Sequence, residues 1–170
     1  MSDLTATRTS MHLIGSGAAF RAELLSMLEG IELLTDLAWR EIELLAPYLE
    51  AYEAAAGCEI FREGDPGHTL CLLVRGRIRI SKEGDRQSTE VATESRGRSI
   101  GEMALIDGEP RSASCTALEP STLLVMTSGR FADLMDKRPA LANKLLLRIA
   151  RLMSRRLRIA SGRLADLLDA

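Results

Sequence analysis

Between Tyr48 and Thr127 glycine, aspartate and proline cut the chain into short segments, and this leaves little room for helices and much for strands. Alternation is clearest where Ile78 and Ile80 interleave with Arg77 and Arg79, a period of two that puts the isoleucines on one face of a strand. Glu63-Gly64-Asp65 and Lys82-Glu83-Gly84-Asp85 suit hairpin connections, and Gly64, Gly76 and Gly108 are placed as turn residues. Several short strands at close spacing predict an antiparallel β-roll of jelly-roll type.

The flanks have a different texture. Phe20, Leu24, Leu25 and Leu28 recur at helical spacing within residues 18–29, and a second helix is predicted over Leu37–Ala46, ending before Pro47. A strand at Leu123–Thr127 leads to a short helix over Gly129–Asp136. Pro139 then opens a long helix that runs almost to Ala170, weakened locally at Gly162. That helix carries Leu146, Ala150, Met153, Leu157, Ala160, Leu164 and Leu167 at alternating steps of four and three, a heptad stripe. Leu145, Ile149 and Leu152 form a neighbouring stripe that can face the roll, so one helix offers two apolar faces. The fold class is therefore α+β, a β-roll flanked by N-terminal helices and a long C-terminal helix. Residues 1–17, rich in Ser, Thr and Gly, read as a flexible leader, residues 18–137 as helical bundle plus roll, and residues 138–170 as a dimerisation helix.

Composition removes several function classes. A chain of 170 residues suits one domain with short appendages, and a net charge of -2 gives no reason to expect a polyanionic partner. Cys58, Cys71 and Cys115 include no C-x-x-C pair, so they read as buried thiols of a cytoplasmic protein and not as a disulfide or zinc framework. No apolar run reaches the length of a membrane span, and no export signal opens the chain. With only His12 and His68, neither a two-histidine metal site nor a supported Ser-His or Cys-His pair can be assembled, so catalysis is not expected.

The chemistry concentrates in Arg98–Ser114. Gly101-Glu102 and Arg111-Ser112 stand about ten residues apart around a short apolar turn, Met103-Ala104-Leu105-Ile106. Glycine lets a ligand approach the backbone, the turn can aim successive N–H groups at an anion, and the arginine offers a planar fork for phosphate oxygens. This spacing, completed by Gly108 and Pro110-Arg111-Ser112-Ala113, resembles the phosphate-binding cassette of the cyclic nucleotide-binding domain family. Similarity extends from about residue 24 to the C-terminus through Ile60-Phe61-Arg62-Glu63-Gly64-Asp65 and Val74-Arg75-Gly76-Arg77-Ile78.

The resemblance implies a set of roles. Arg111, Ser112, Ala113, Met103 and Ala104 would bind the phosphate, Gly101 and Glu102 the ribose, and Val91, Ala160 and Ser161 would contact the base. The ligand would be a 3′,5′-cyclic nucleoside monophosphate, cAMP favoured over cGMP, with no cofactor or metal. The segment Met153–Ser161 resembles the dimer helix of the family's transcription factors, which implies a homodimer whose long helix passes the signal to an unknown downstream protein. Those factors bind DNA through a module downstream of this helix. None follows Ala170 in this sequence, so specific DNA binding is not expected, and Arg148, Arg151, Arg155, Arg156, Arg158 and Arg163 read as a solvated face. The alternative is an interaction scaffold of the same fold whose pocket is idle or takes a cyclic dinucleotide.

Overall fold

A computed structural model describes residues 11–17, 20–84 and 87–169, and its strands form two antiparallel sheets. The first sheet has the order β1-β2-β9-β4-β7, where β1 is Met11–Ser16, β2 Glu50–Ala54, β9 Ser121–Thr127, β4 Thr69–Arg75 and β7 Ser99–Ile100. The second has the order β3-β8-β5-β6, with β3 Glu59–Phe61, β8 Ser114–Ala117, β5 Arg77–Lys82 and β6 Thr89–Ser95. The β-roll expected from the turn spacing is present, and the predicted α+β class holds.

The two sheets are built for different surroundings. On β4 and β9, Cys71, Leu73, Leu123 and Val125 point inward, where they meet Ile60, Phe61, Ile78 and Cys115 of the second sheet. Their neighbours Leu70, Leu72, Leu124 and Met126 point outward, against the helices. Sheet one is thus apolar on both faces, which is why Leu70-Cys71-Leu72-Leu73 reads as an unbroken apolar run and not as an alternation. The outer face of β5 and β6 meets solvent, and there the alternation is visible.

The helical layer comprises α1 (Arg21–Met27), α2 (Trp39–Leu45), α3 (Glu102–Asp107), α4 (Ser128–Lys137) and α5 (Pro139–Leu168), with 3-10 turns at Glu32–Leu34 and Ala46–Tyr48. Thr127 caps α4 by accepting the Arg130 N–H at 3.2 Å, and Pro139 lies in the first turn of α5 as predicted. Helix α5 continues unbroken through Gly162. Its first half is seated on the roll through Leu141, Ala142, Leu145 and Ile149, whereas Leu157, Leu164 and Leu167 of the heptad stripe are exposed.

Two readings need correction. Met11–Ser16, assigned by sequence to a flexible leader, is strand β1. It pairs antiparallel with β2 from Met11 opposite Ala54 to Ser16 opposite Glu50, with a bulge between Leu13 and Gly15. Gly15 supplies no Cβ there, and the ring of Phe20 occupies that space, 2.3 Å from where a Cβ would stand. Residues 1–10 of the same leader lie outside the described residues. The basic face of α5 is also only partly solvated, because Arg148, Arg155 and Arg156 are ion-paired into the body of the domain.

Candidate functional site

Helix α3 is set apart by glycines at both ends, Gly101 at φ 83° and Gly108 at φ 71°. Side chains resist this left-handed conformation, and a Cβ on Gly101 would also stand 2.6 Å from Arg111 Nη1 and 2.7 Å from the Thr69 carbonyl oxygen. Glycine is therefore required where the turn passes closest to the arginine. Gly67 plays a similar part from the β3–β4 loop, since a Cβ there would fall 2.2 Å from Ala104 Cβ and 3.3 Å from Arg111 Cδ.

The Arg111 backbone is held by the same loop. Its N–H donates to the Asp65 carbonyl at 2.8 Å, and its carbonyl accepts from the Gly64 N–H at 2.9 Å. Arg111 is 6% exposed, and its guanidinium lies over the Phe61 ring at 3.6 Å from the centroid. Nη1 donates to the Thr69 carbonyl at 2.9 Å and to the Gly101 carbonyl at 3.4 Å, while Nη2 donates to Thr69 Oγ1 at 2.6 Å. Among the described residues no carboxylate is ion-paired with it, and burial pushes its pKa down. A buried cation with only neutral partners is an unusual thing for a fold to keep, and it is suited to a site that receives an anion.

Glu102 is 2% exposed and has the opposite circumstance. Its Oε1 accepts from Ser99 Oγ at 2.9 Å and from Arg156 Nη1 of α5 at 2.8 Å. Arg156 also reaches Glu94 at 3.1 Å and the Ser99 carbonyl at 2.9 Å. Burial raises the Glu102 pKa against the pull of Arg156 and Ser99. The charges continue outward: Glu94 pairs with Arg98, Arg98 with Glu32, and Glu32 with Arg155. Six charges of alternating sign thus tie α3, β6, the 3-10 turn and α5 together.

Of the residues singled out by sequence, Gly101, Glu102, Ala104 and Arg111 converge at the cassette. Ser112 joins them at its rim, its hydroxyl 3.7 Å from the sulfur of the exposed Met103, and Ala113 is half-buried just before β8. Val91 is exposed on β6, and Ala160 and Ser161 are exposed on α5 about 6 Å and more beyond Arg156 at 1.5 Å rise per residue. Among the described residues no hydrogen bond or ion pair links these three to the cassette. Sequence reasoning missed Thr69 and Arg156. The buried Cys71 and Cys115 thiols are pushed up to about 12 by desolvation, so they stay protonated at neutral pH and serve as packing groups. Among the described residues no helix is long and apolar enough to cross a membrane, and no group of three potential metal ligands occurs.

The profile of the cyclic nucleotide-binding domain matches residues 52–138. The cyclic AMP receptor protein of Thermus thermophilus is 34% identical over 144 residues, 84% of this chain and 64% of that protein. The regulatory subunit of cAMP-dependent protein kinase from Neurospora crassa is 38% identical over 89 residues, 52% of this chain and 23% of that protein. Among solved structures, a cyclic nucleotide-binding domain from Methylobacillus flagellatus superposes with a TM-score of 0.80 at 32% identity, covering 92% of this chain and 89% of that one. This chain spans less than two thirds of the length of the receptor-type proteins it matches. The fold, the cassette and these likenesses agree, and the chain belongs to the cyclic nucleotide-binding domain family.

Proposed function

We propose that this chain is a regulatory module that binds a 3′,5′-cyclic nucleoside monophosphate, cAMP in preference to cGMP, and passes the event to its long helix. The observation that carries this reading is the buried Arg111 guanidinium, which has no carboxylate partner among the described residues. A cyclic nucleotide brings one negative charge, which suits a buried cation with no carboxylate in ion-pair contact among the described residues. Gly101 and Glu102 would hold the ribose, Met103, Ala104, Ser112 and Ala113 would complete the phosphate cradle, and Val91, Ala160 and Ser161 would meet the base. The nucleotide acts as a ligand, with no cofactor, and the activity is binding in a cytoplasmic setting.

Helix α5 supports the second half of the proposal. Leu157 is 68% exposed and Leu164 58%, on a stripe whose period suits a parallel partner helix. Two chains would pair through it as a homodimer, and Arg156 links the same helix to Glu102. Calorimetry should show one site per chain for cAMP. Light scattering should show a dimer at micromolar concentration that Leu157→Asp with Leu164→Asp converts to monomers. A wild-type monomer would mean that the stripe has another partner, and heat-free titration with both cAMP and cGMP would remove the binding reading.

One observation favours a second reading. Arg156 already donates to Glu102, the carboxylate proposed to hold the ribose, as expected of an interaction scaffold with an idle pocket. Mass spectrometry of small molecules released from the denatured protein separates the two: a cyclic mononucleotide supports the first, a cyclic dinucleotide or nothing the second.

A further inference from the structure

We infer that Thr69 is the positioning residue for the phosphate: it grips the end of the Arg111 guanidinium so that one N–H edge stays free as a fork. The inference rests on Arg111 being the phosphate ligand, and it follows from counting donors. A guanidinium has five N–H groups, one on Nε and two on each terminal nitrogen. In this structure two from Nη1 go to the Thr69 and Gly101 carbonyls and one from Nη2 goes to the Thr69 hydroxyl. The two that remain, on Nε and Nη2, lie side by side along one edge. That edge is the geometry that takes two oxygens of one phosphate.

Thr69 can do this because of where β4 begins. It is the first residue of the strand, 7% exposed, so its carbonyl and its hydroxyl are both out of competition with water. The Phe61 ring lies against the face of the guanidinium, which restricts tilting, while Thr69 restricts rotation in the plane. Valine would keep the shape and the carbonyl but remove the Oγ acceptor, leaving the Nη2 hydrogen without its partner. Serine would keep the acceptor. Preorganisation of this kind lowers the cost of ordering a long side chain when the ligand arrives.

The test uses the full chain with cAMP as probe. Thr69→Val should weaken cAMP binding roughly tenfold, the loss of one hydrogen bond to a charged group, and Thr69→Ser should stay within roughly threefold of wild type. In an Arg111→Ala background, titrated at millimolar cAMP, Thr69→Val should change affinity by no more than about twofold, because the group it positions is gone. Wild-type affinity in Thr69→Val, failure of Thr69→Ser to restore binding, or an undiminished loss in the Arg111→Ala background would each overturn the inference.

A second measurement needs no ligand. The Arg111 Nη2–H signal, assigned by its loss in Arg111→Lys, should exchange slowly with water in wild type and Thr69→Ser, where a hydroxyl accepts it, and several-fold faster in Thr69→Val. Equal exchange rates would overturn the seat whatever the nucleotide result. A wild-type chain that binds neither cAMP nor cGMP, yet shows the faster exchange in Thr69→Val, would instead remove the nucleotide reading and leave the seat standing without its phosphate.

Discussion

Arg111 and Glu102 are almost equally hidden from solvent, at 6% and 2% exposure, but they are hidden in different company. Arg111 sits among carbonyls, a hydroxyl and an aromatic face, all neutral. Glu102 is already matched by the guanidinium of Arg156. In the phosphate half of the proposed site the cation therefore lacks an ion-paired carboxylate among the described residues, whereas in the ribose half the carboxylate is already paired with a residue from the helix proposed to report binding. One half accounts for affinity. The other would, in the proposed reading, carry a ligand's arrival to a residue 54 positions away in sequence.

Removing Arg111 should break the comparison most severely. Arg111→Ala should cost about 2 to 5 kcal/mol of cAMP binding by calorimetry, because a buried phosphate loses its charged partner, and Glu102→Ala should cost less. Equal losses would mean that the two halves are not different in kind. Stability should rank the two halves in the reverse order. Arg156→Met strands the buried Glu102 carboxylate, and with Arg156 itself about a third exposed the loss in thermal or urea melts should be about 1 to 2 kcal/mol. Arg111→Met leaves only neutral acceptors behind and removes a buried charge, so ligand-free melts should show a smaller change.

The comparison is sharpened by pH. Burial raises the Glu102 pKa above its ordinary 4.5, so the folded protein holds that proton more tightly than the unfolded chain does. The stability cost is absent below about pH 4.5 and grows as pH rises through the folded-state pKa. Glu102→Gln should therefore flatten the fall in melting temperature just above pH 4.5, and an unchanged slope would place the titration elsewhere. The smallest effect is expected at the base. Ala160→Thr adds one neutral hydroxyl to α5 and should raise the preference for cAMP over cGMP by roughly two- to twelvefold in competition titrations. No change would leave recognition of the base to the strand around Val91.

What the sequence disclosed follows from the range of the interactions involved. Gly101, Glu102 and Arg111 lie within one cassette, so their spacing alone suggested an anion site, and the period of two at Arg77–Ile80 marked a strand with one wet face. Arg156 was harder to see, since six arginines on one helix look like a solvated face. The signal was present all the same: Leu145, Ile149, Leu152 and Arg156 step by four, three and four, which puts Arg156 on the stripe that faces the roll. Thr69 left no local trace, because its role depends on a partner 42 residues away. Strand β1 was misread for a related reason. Only Met11, Leu13 and Ile14 are apolar among its residues, and its order comes from the pairing that β2 offers.

That pairing bears on handling the protein. Strand β1 covers the outer edge of β2, whose N–H and C=O groups along Glu50–Ala54 would otherwise end the sheet. A version trimmed to begin near residue 18, as the leader reading invites, would bare that edge beside the buried Ala51, Tyr52 and Ala54. Uncovered edges of this kind recruit strands from other molecules. The trimmed protein would keep every residue of the proposed nucleotide site and yet be the more prone to precipitate, so strand β1 would serve as a solubility element.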